Sequence, residues 1–236
     1  MKLSTSRNSG LQSFIVLFVA MTFLFGIANA SEKKDKDYDK PMDLVSEAVK
    51  TFKDFGADPN MEAFRGQVKK AKAVLIVPRL IKAGFIIGGS GGSGALVARN
   101  EKTGEWSYPA FYTMGSASIG LQIGGAADQM VLVVMTKKGM DSMLSSSFKL
   151  GADASVAAGT VGQGVKAVTA DIVAYSRSKG AFGGLSAEGS VIKIREKWND
   201  AYYGKSVRPT DILILHNVTN SQADPLRMEV GKVAGK

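Results

Sequence analysis

Ser90 and His216 are the first residues to consider for chemistry, because a serine nucleophile needs an imidazole to take its proton and this chain has one histidine and no cysteine. Ser90 is the centre of Gly88-Gly89-Ser90-Gly91-Gly92, which matches the G-x-S-x-G nucleophile elbow. The overlapping Gly89-Ser90-Gly91-Gly92-Ser93-Gly94 matches G-x-G-x-x-G, the dinucleotide fingerprint. Both motifs work only where a strand turns into a helix, whose first amides face the ligand. Here Ala95-Leu96-Val97-Ala98 continues in strand-forming residues and no Walker lysine follows. The segment therefore reads as a glycine hairpin, and a serine hydrolase using Ser90 and His216 stays an alternative. Without cysteine there are no disulfides, thiolate metal sites or thiol nucleophiles. No acidic cluster has calcium-loop spacing, so no metal or other cofactor is implied.

The cations carry a different chemistry. The 236 residues bear a formal charge of +9, and a basic surface attracts anionic partners. Arg79, Lys82, Arg99, Lys149, Arg177 and Lys179 fall at the ends of predicted strands, where they could rim a site for phosphate headgroups. Lys69, Lys70 and Lys72 form a secondary patch at the end of a basic amphipathic helix. Trp106, Tyr108, Phe111 and Tyr112 cluster beside Pro109, and alternation assigns most of them to the core.

Positioning these side chains requires helices first and strands afterwards. Leu44, Val45, Ala48, Val49 and Phe52 recur at helical spacing, ending near Gly56. Asn60 can cap a second helix with Met61, Phe64, Val68 and Ala71 on one side. Strand candidates then run at 73–77, closed by Pro78, and at 83–88, 95–99, 106–108, 111–123 and 130–136. A short helix is expected at 138–148, further strands near 152–158, 172–176 and 190–195, a helical turn at 200–204, a closing element at 211–215 and a loose tail from Thr219. The 27 glycines alternate with Ile, Val, Leu and Phe; in strands, such glycines mark bulges, coiling or close backbone approach. The expected fold class is α+β: a strongly curved, partly closed antiparallel glycine-rich sheet, barrel- or sandwich-like, with the N-terminal helices packed on one side.

The first thirty residues read separately. Lys2 and Arg7 precede an apolar run from Phe14 to Ile27 that ends in Ala28-Asn29-Ala30, the layout of a secretory signal peptide cut near Ala30. Removing it takes the charge from +9 to +7 and leaves one domain's length of chain. The expected organisation is a signal peptide at 1–30, a polar leader at 31–40, a domain at 41–216 and a tail at 217–236. The expected location is periplasmic or secreted.

Several short runs together resemble, in order, the SYLF (Ysc84-type) domain family. They are Lys82-Ala83-Gly84-Phe85, Gly91-Gly92-Ser93-Gly94, Trp106-Ser107 with Pro109-Ala110-Phe111, Ser118-Ile119-Gly120 and Gln122-Ile123-Gly124. Lys149-Leu150-Gly151, Ala157-Ala158-Gly159, the run from Tyr175 to Gly180, Gly183, Asn199 and Tyr202-Tyr203-Gly204 continue the set. The resemblance covers about 44–215. It implies non-catalytic binding of acidic phospholipids at a membrane surface, here in a bacterial envelope, with a helical segment matched by 41–72 as a membrane-contacting element in some members. Some eukaryotic members also bind actin; export makes actin an unexpected partner here, and nucleic acid is not expected. A structural envelope protein assembling through sheet edges is a further alternative.

Overall fold

The computed structural model describes residues 40–84, 87–119, 126–161, 169–178, 181–184 and 187–235. Helix α1 spans 40–57. A 3-10 turn at Pro59–Met61, capped by the Asp58 carboxylate on the Asn60 amide, leads into α2 (Glu62–Val68). Then follow β1 (Ala73–Gly84), β2 (Ile87–Ala98), β3 (Ala110–Ile119), β4 (Ala126–Val134), α3 (Lys137–Leu144), β5 (Ser147–Lys149), β6 (Val156–Ala158), β7 (Ile172–Ser178), β8 (Ala181–Gly184) and β9 (Val191–Ile194). Helices α4 (Glu196–Tyr203), α5 (Pro209–Leu213) and α6 (Asp224–Val233) end the chain. The strands form one curled, half-barrel sheet in the order β5-β9-β3-β2-β1-β4-β7-β6, with β8 on β7. The class is α+β as expected. One pair, β6 with β7, is parallel, so the sheet is mixed.

Strand alternation sends residues to two cores. Val74, Ile76, Ala95, Val97, Phe111, Val131, Val133, Val173 and Tyr175 pack under α1, α2, α4 and α6. Ala73, Leu75, Val77, Leu96, Ala98, Tyr112, Leu132 and Val134 pack under α3 and α5. Helices thus cover both faces: the N-terminal pair, α1 and α2, packs on one of them as expected, and α3 and α5 cover the other. Ring contacts stitch the first core: Phe64 lies 5.5 Å from Phe52, 5.7 Å from Phe55 and 5.2 Å from Tyr175, in the tilted and edge-on geometries that aromatic quadrupoles favour. Trp106, Phe111 and Tyr112 are buried, as alternation assigned them.

Pro78 does not end a strand. β1 runs through it as a twelve-residue strand, with register shifts against both neighbours between Ile76 and Leu80. A proline lacks the amide that a regular ladder needs, so it is accommodated at a bulge. The extra residue reverses parity: Leu80 joins the face of Leu75 and Val77, and Arg79 joins the face of Val74 and Ile76. The glycine run 88–94, expected as a hairpin turn, is instead the middle of β2. Gly92 and Gly94 are required there by packing, because a Cβ would stand 2.5 Å from the Arg79 carbonyl and 2.8 Å from Leu75 respectively.

The expected loose tail is also corrected. Residues 224–233 form α6, with Leu226 and Val230 fully buried. Val233 seats so closely on α1 that a Cβ on Gly56 would lie 2.7 Å from it. Asp224 accepts the Tyr108 hydroxyl, and the Arg227 Nε donates to the Trp106 carbonyl while its guanidinium stacks on Tyr108.

Candidate functional site: a cation-lined trench along α1

Helix α1 covers the sheet only up to the row of Phe111, Ala95 and Ile76. Beyond it, no element among the described residues covers the same face. The next row, read across the registers, is Lys193, Thr113, Ser93 and Arg79, with Gln129 and Arg177 past the bulge. The row after that is Lys149, Val191, Gly115, Gly91, Ile81 and Ala127. In it Ile81 is 54% and Val191 43% exposed. A line of cations therefore borders α1, and a smooth, largely apolar line lies one row further out.

A trench follows that border. Three adjoining cavities of about 570, 300 and 540 Å³ form it; Lys40 and Trp198 are shared by the first two, Glu47 and Arg79 by the second and third. Its walls carry Lys40, Lys50, Arg79, Arg177, Lys193, Arg195 and Lys197 against Asp43, Glu47 and Glu196. Arg195 is fixed in place: its guanidinium lies 3.5 Å over the Trp198 ring and donates to the Ser93 hydroxyl at 2.6 Å. Partial burial lowers its pKa, yet an arginine remains charged. Arg79 pairs with Glu47 at 2.9 Å and Arg177 with Asp54 at 2.6 Å, while Gln129 donates to Thr51 at 3.1 Å. These links tie α1 to β1, β4 and β7.

The cations singled out from the sequence separate. Arg79 and Arg177 line the trench, and Lys149 stands at the edge of the same face. Lys82 lies on the opposite face, paired with Asp128, whose side chain is only 2% exposed. Burial pushes the Asp128 carboxyl up, but hydrogen bonds from Lys82 and Ser178 outweigh it and hold the group below its ordinary value. Lys69, Lys70 and Lys72 sit at the far end of β1, ten residues and roughly 33 Å of strand from Lys82. Lys179 lies outside the described residues. Sequence reasoning missed Lys40, Lys50, Lys193, Arg195 and Lys197. The alternation in Lys193-Ile194-Arg195-Glu196-Lys197 is the signal that could have found the last three.

Ser90 and His216 do not meet. Ser90 is mid-strand, its hydroxyl 2.8 Å from that of Ser116. His216 stands beside Ala98 and Arg99 at the other end of β2, roughly 26 Å along the strand. Among the described residues no group of His or acidic side chains could hold a metal ion, and no helix is long and apolar enough to cross a membrane.

Comparison with known proteins places this geometry in a family. The model described as "Ysc84: Las17-binding protein actin regulator" matches residues 115–233. Protein YSC84 of Saccharomyces cerevisiae is 33% identical over 195 residues, 79% of this chain and 41% of that protein. LAS seventeen-binding protein 3 of the same yeast is 34% identical over 182 residues, covering 74% and 39%. The human SH3 domain-containing YSC84-like protein 1 is 30% identical over 200 residues, covering 79% and 58%. The chain thus spans between about two-fifths and three-fifths of these relatives' lengths. The expectation against actin finds no support in these matches. The matched region holds the end of β3 together with β4, β9, α4 and α6, which carry part of the trench and of both cores, and by that match the chain belongs to the Ysc84 (SYLF) family.

Proposed function

We propose that this chain is a non-catalytic binding module that adsorbs to anionic phospholipid surfaces through the bare half of the sheet face beside α1. One observation carries the reading: a row that holds Lys193, Arg79 and Arg177 and a parallel row of exposed apolar and small residues lie two residues apart on the same face. Such a pair of rows suits a lipid–water boundary, with the cations at the phosphates and Ile81 and Val191 on the acyl side. Each cation near an anionic membrane contributes about 1 kcal/mol. Replacing Lys193 and Lys197 by Glu is therefore expected to weaken adsorption at least about 30-fold. Flotation with vesicles of phosphatidylcholine, with and without phosphatidylglycerol, at low and high salt measures this; equal binding to neutral and anionic vesicles would overturn it.

The export reading belongs to the same proposal. N-terminal sequencing of the protein recovered outside the cytoplasm is expected to begin at Ser31, and an intact Met1 terminus there would refute cleavage. A second reading comes from the family description as an actin regulator and the relatives' Las17-binding names. Cosedimentation with actin filaments that is lost in the Lys193/Lys197 variant favours this second reading.

A further inference from the structure

A second groove lies on the other face of the sheet and at its other end, between α3, α5 and the turn after β2. Its cavity of about 670 Å³ is floored by Ala98, Met140, Leu144 and Leu213, with Ile214 as an exposed wall at 46%. That volume falls within the ~300–1,000 Å³ of sites that take single small molecules. Around this apolar floor stand Lys72, Arg99, Lys102 and Lys137, against Glu101 and Asp141. Lys72 pairs with Glu101 and Lys137 with Asp141 at 2.8 Å; the Arg99 guanidinium donates to the Lys69 carbonyl at 2.7 Å. The rim is thus cationic over an apolar floor. Ala98 and Leu213 are already core, so the groove's apolar side is continuous with the folded interior. Next to Ile214 and Leu215, both exposed, His216 bends the chain with φ of +52°, a left-handed conformation that residues other than glycine seldom adopt.

We propose that this groove binds one molecule of a single-chain amphiphile with an anionic head, the chain lying along Met140, Leu144 and Ile214 and the head held by Arg99 and Lys102. Charge complementarity selects the head and the apolar floor selects the chain. A planar bilayer is not needed, because the groove opens on the face away from the trench. The site is independent of the membrane reading: either can fail without the other.

Calorimetric titration of the full chain with octyl, decyl and dodecyl phosphate below their micelle concentrations tests it. One-to-one binding is expected, tightening about fourfold per added methylene until the groove is filled. Ile214→Glu, at an exposed position, and Lys102→Glu are each expected to weaken decyl phosphate at least tenfold while leaving the thermal melt unchanged. Arg79→Glu, in the trench, leaves it untouched. Decanoate in parallel distinguishes a carboxylate from a phosphate source; binding of either supports the site. Absence of binding by both at millimolar concentration overturns the proposal, as does wild-type affinity in Ile214→Glu. Decanol binding as tightly as decyl phosphate overturns the assignment of the anionic head.

Discussion

Two glycines three positions apart on β2 have opposite reasons to exist. Gly94 is pressed by Leu75, Val77 and the Ile76 carbonyl, so Gly94→Ala is expected to cost about 1–3 kcal/mol in urea unfolding. At Gly91 an added Cβ would have its nearest neighbour at 4.0 Å, and Gly91→Ala is expected to stay within about 0.5 kcal/mol of the parent or stabilise it. Buried ions set a second contrast. Asp128→Ala leaves Lys82 largely enclosed without its carboxylate and is expected to cost about 2–3 kcal/mol. Asp171 is held at about 2, first by the Thr136 hydroxyl, against opposing desolvation, and further by the Ser155 amide and hydroxyl and by Lys138. A carboxyl depressed in the folded state contributes stability above its unfolded pKa near 4, and that contribution is lost as pH falls toward 2. Asp171→Asn is therefore expected to lower stability by about 1–2 kcal/mol at pH 7 and by less at pH 2.5, read from urea midpoints at the two pH values.

At the scale of elements, the bulge at Pro78 decides which cations belong together. Because the bulge already holds one extra residue, deleting Pro78 is expected to leave Arg79 toward α1, Leu80 in the core and Lys82 opposite, with thermal unfolding still cooperative; loss of cooperativity would overturn this account of the bulge. This is also where sequence legibility stops. Helical spacing placed α1 and α2, and alternation placed β3, β4 and β7 to within a few residues. Parity beyond Pro78 could not be read, because a proline inside apolar residues marks a strand end as readily as a bulge. Grouping Arg79 with Lys82 failed for that reason. Helix α6 was legible but discounted: Ala223, Leu226 and Val230 keep helical spacing, and Pro225 sits in the first turn, where proline belongs. Gly231 and the exposed Met228 hid the pattern.

At the scale of the molecule, the sheet is sheathed on both faces near α1 and α3, and among the described residues nothing covers it toward the glycine-rich ends of β1, β2 and β3. The expectation of partial closure holds as a half-barrel whose outer strands on the main path, β5 and β6, are only three residues long. Short edges present few free amides to a neighbour, so sedimentation is expected to give a monomer without lipid at high concentration, against assembly through edges. Adsorption, being electrostatic, is expected to fall steeply between 0.05 and about 0.5 M salt in the flotation assay.

The seating of Val233 against Gly56 brings the last helix onto the first. A polypeptide emerging from a ribosome cannot close its aromatic interior around Phe52, Phe55 and Phe64 until α6 is free, because Leu226 and Val230 supply part of that wall. The fold is consequently completed only once that helix has been released. A nascent chain that lacks α6 leaves Trp106 and the α1 underside uncovered, open to chaperone capture or proteolysis.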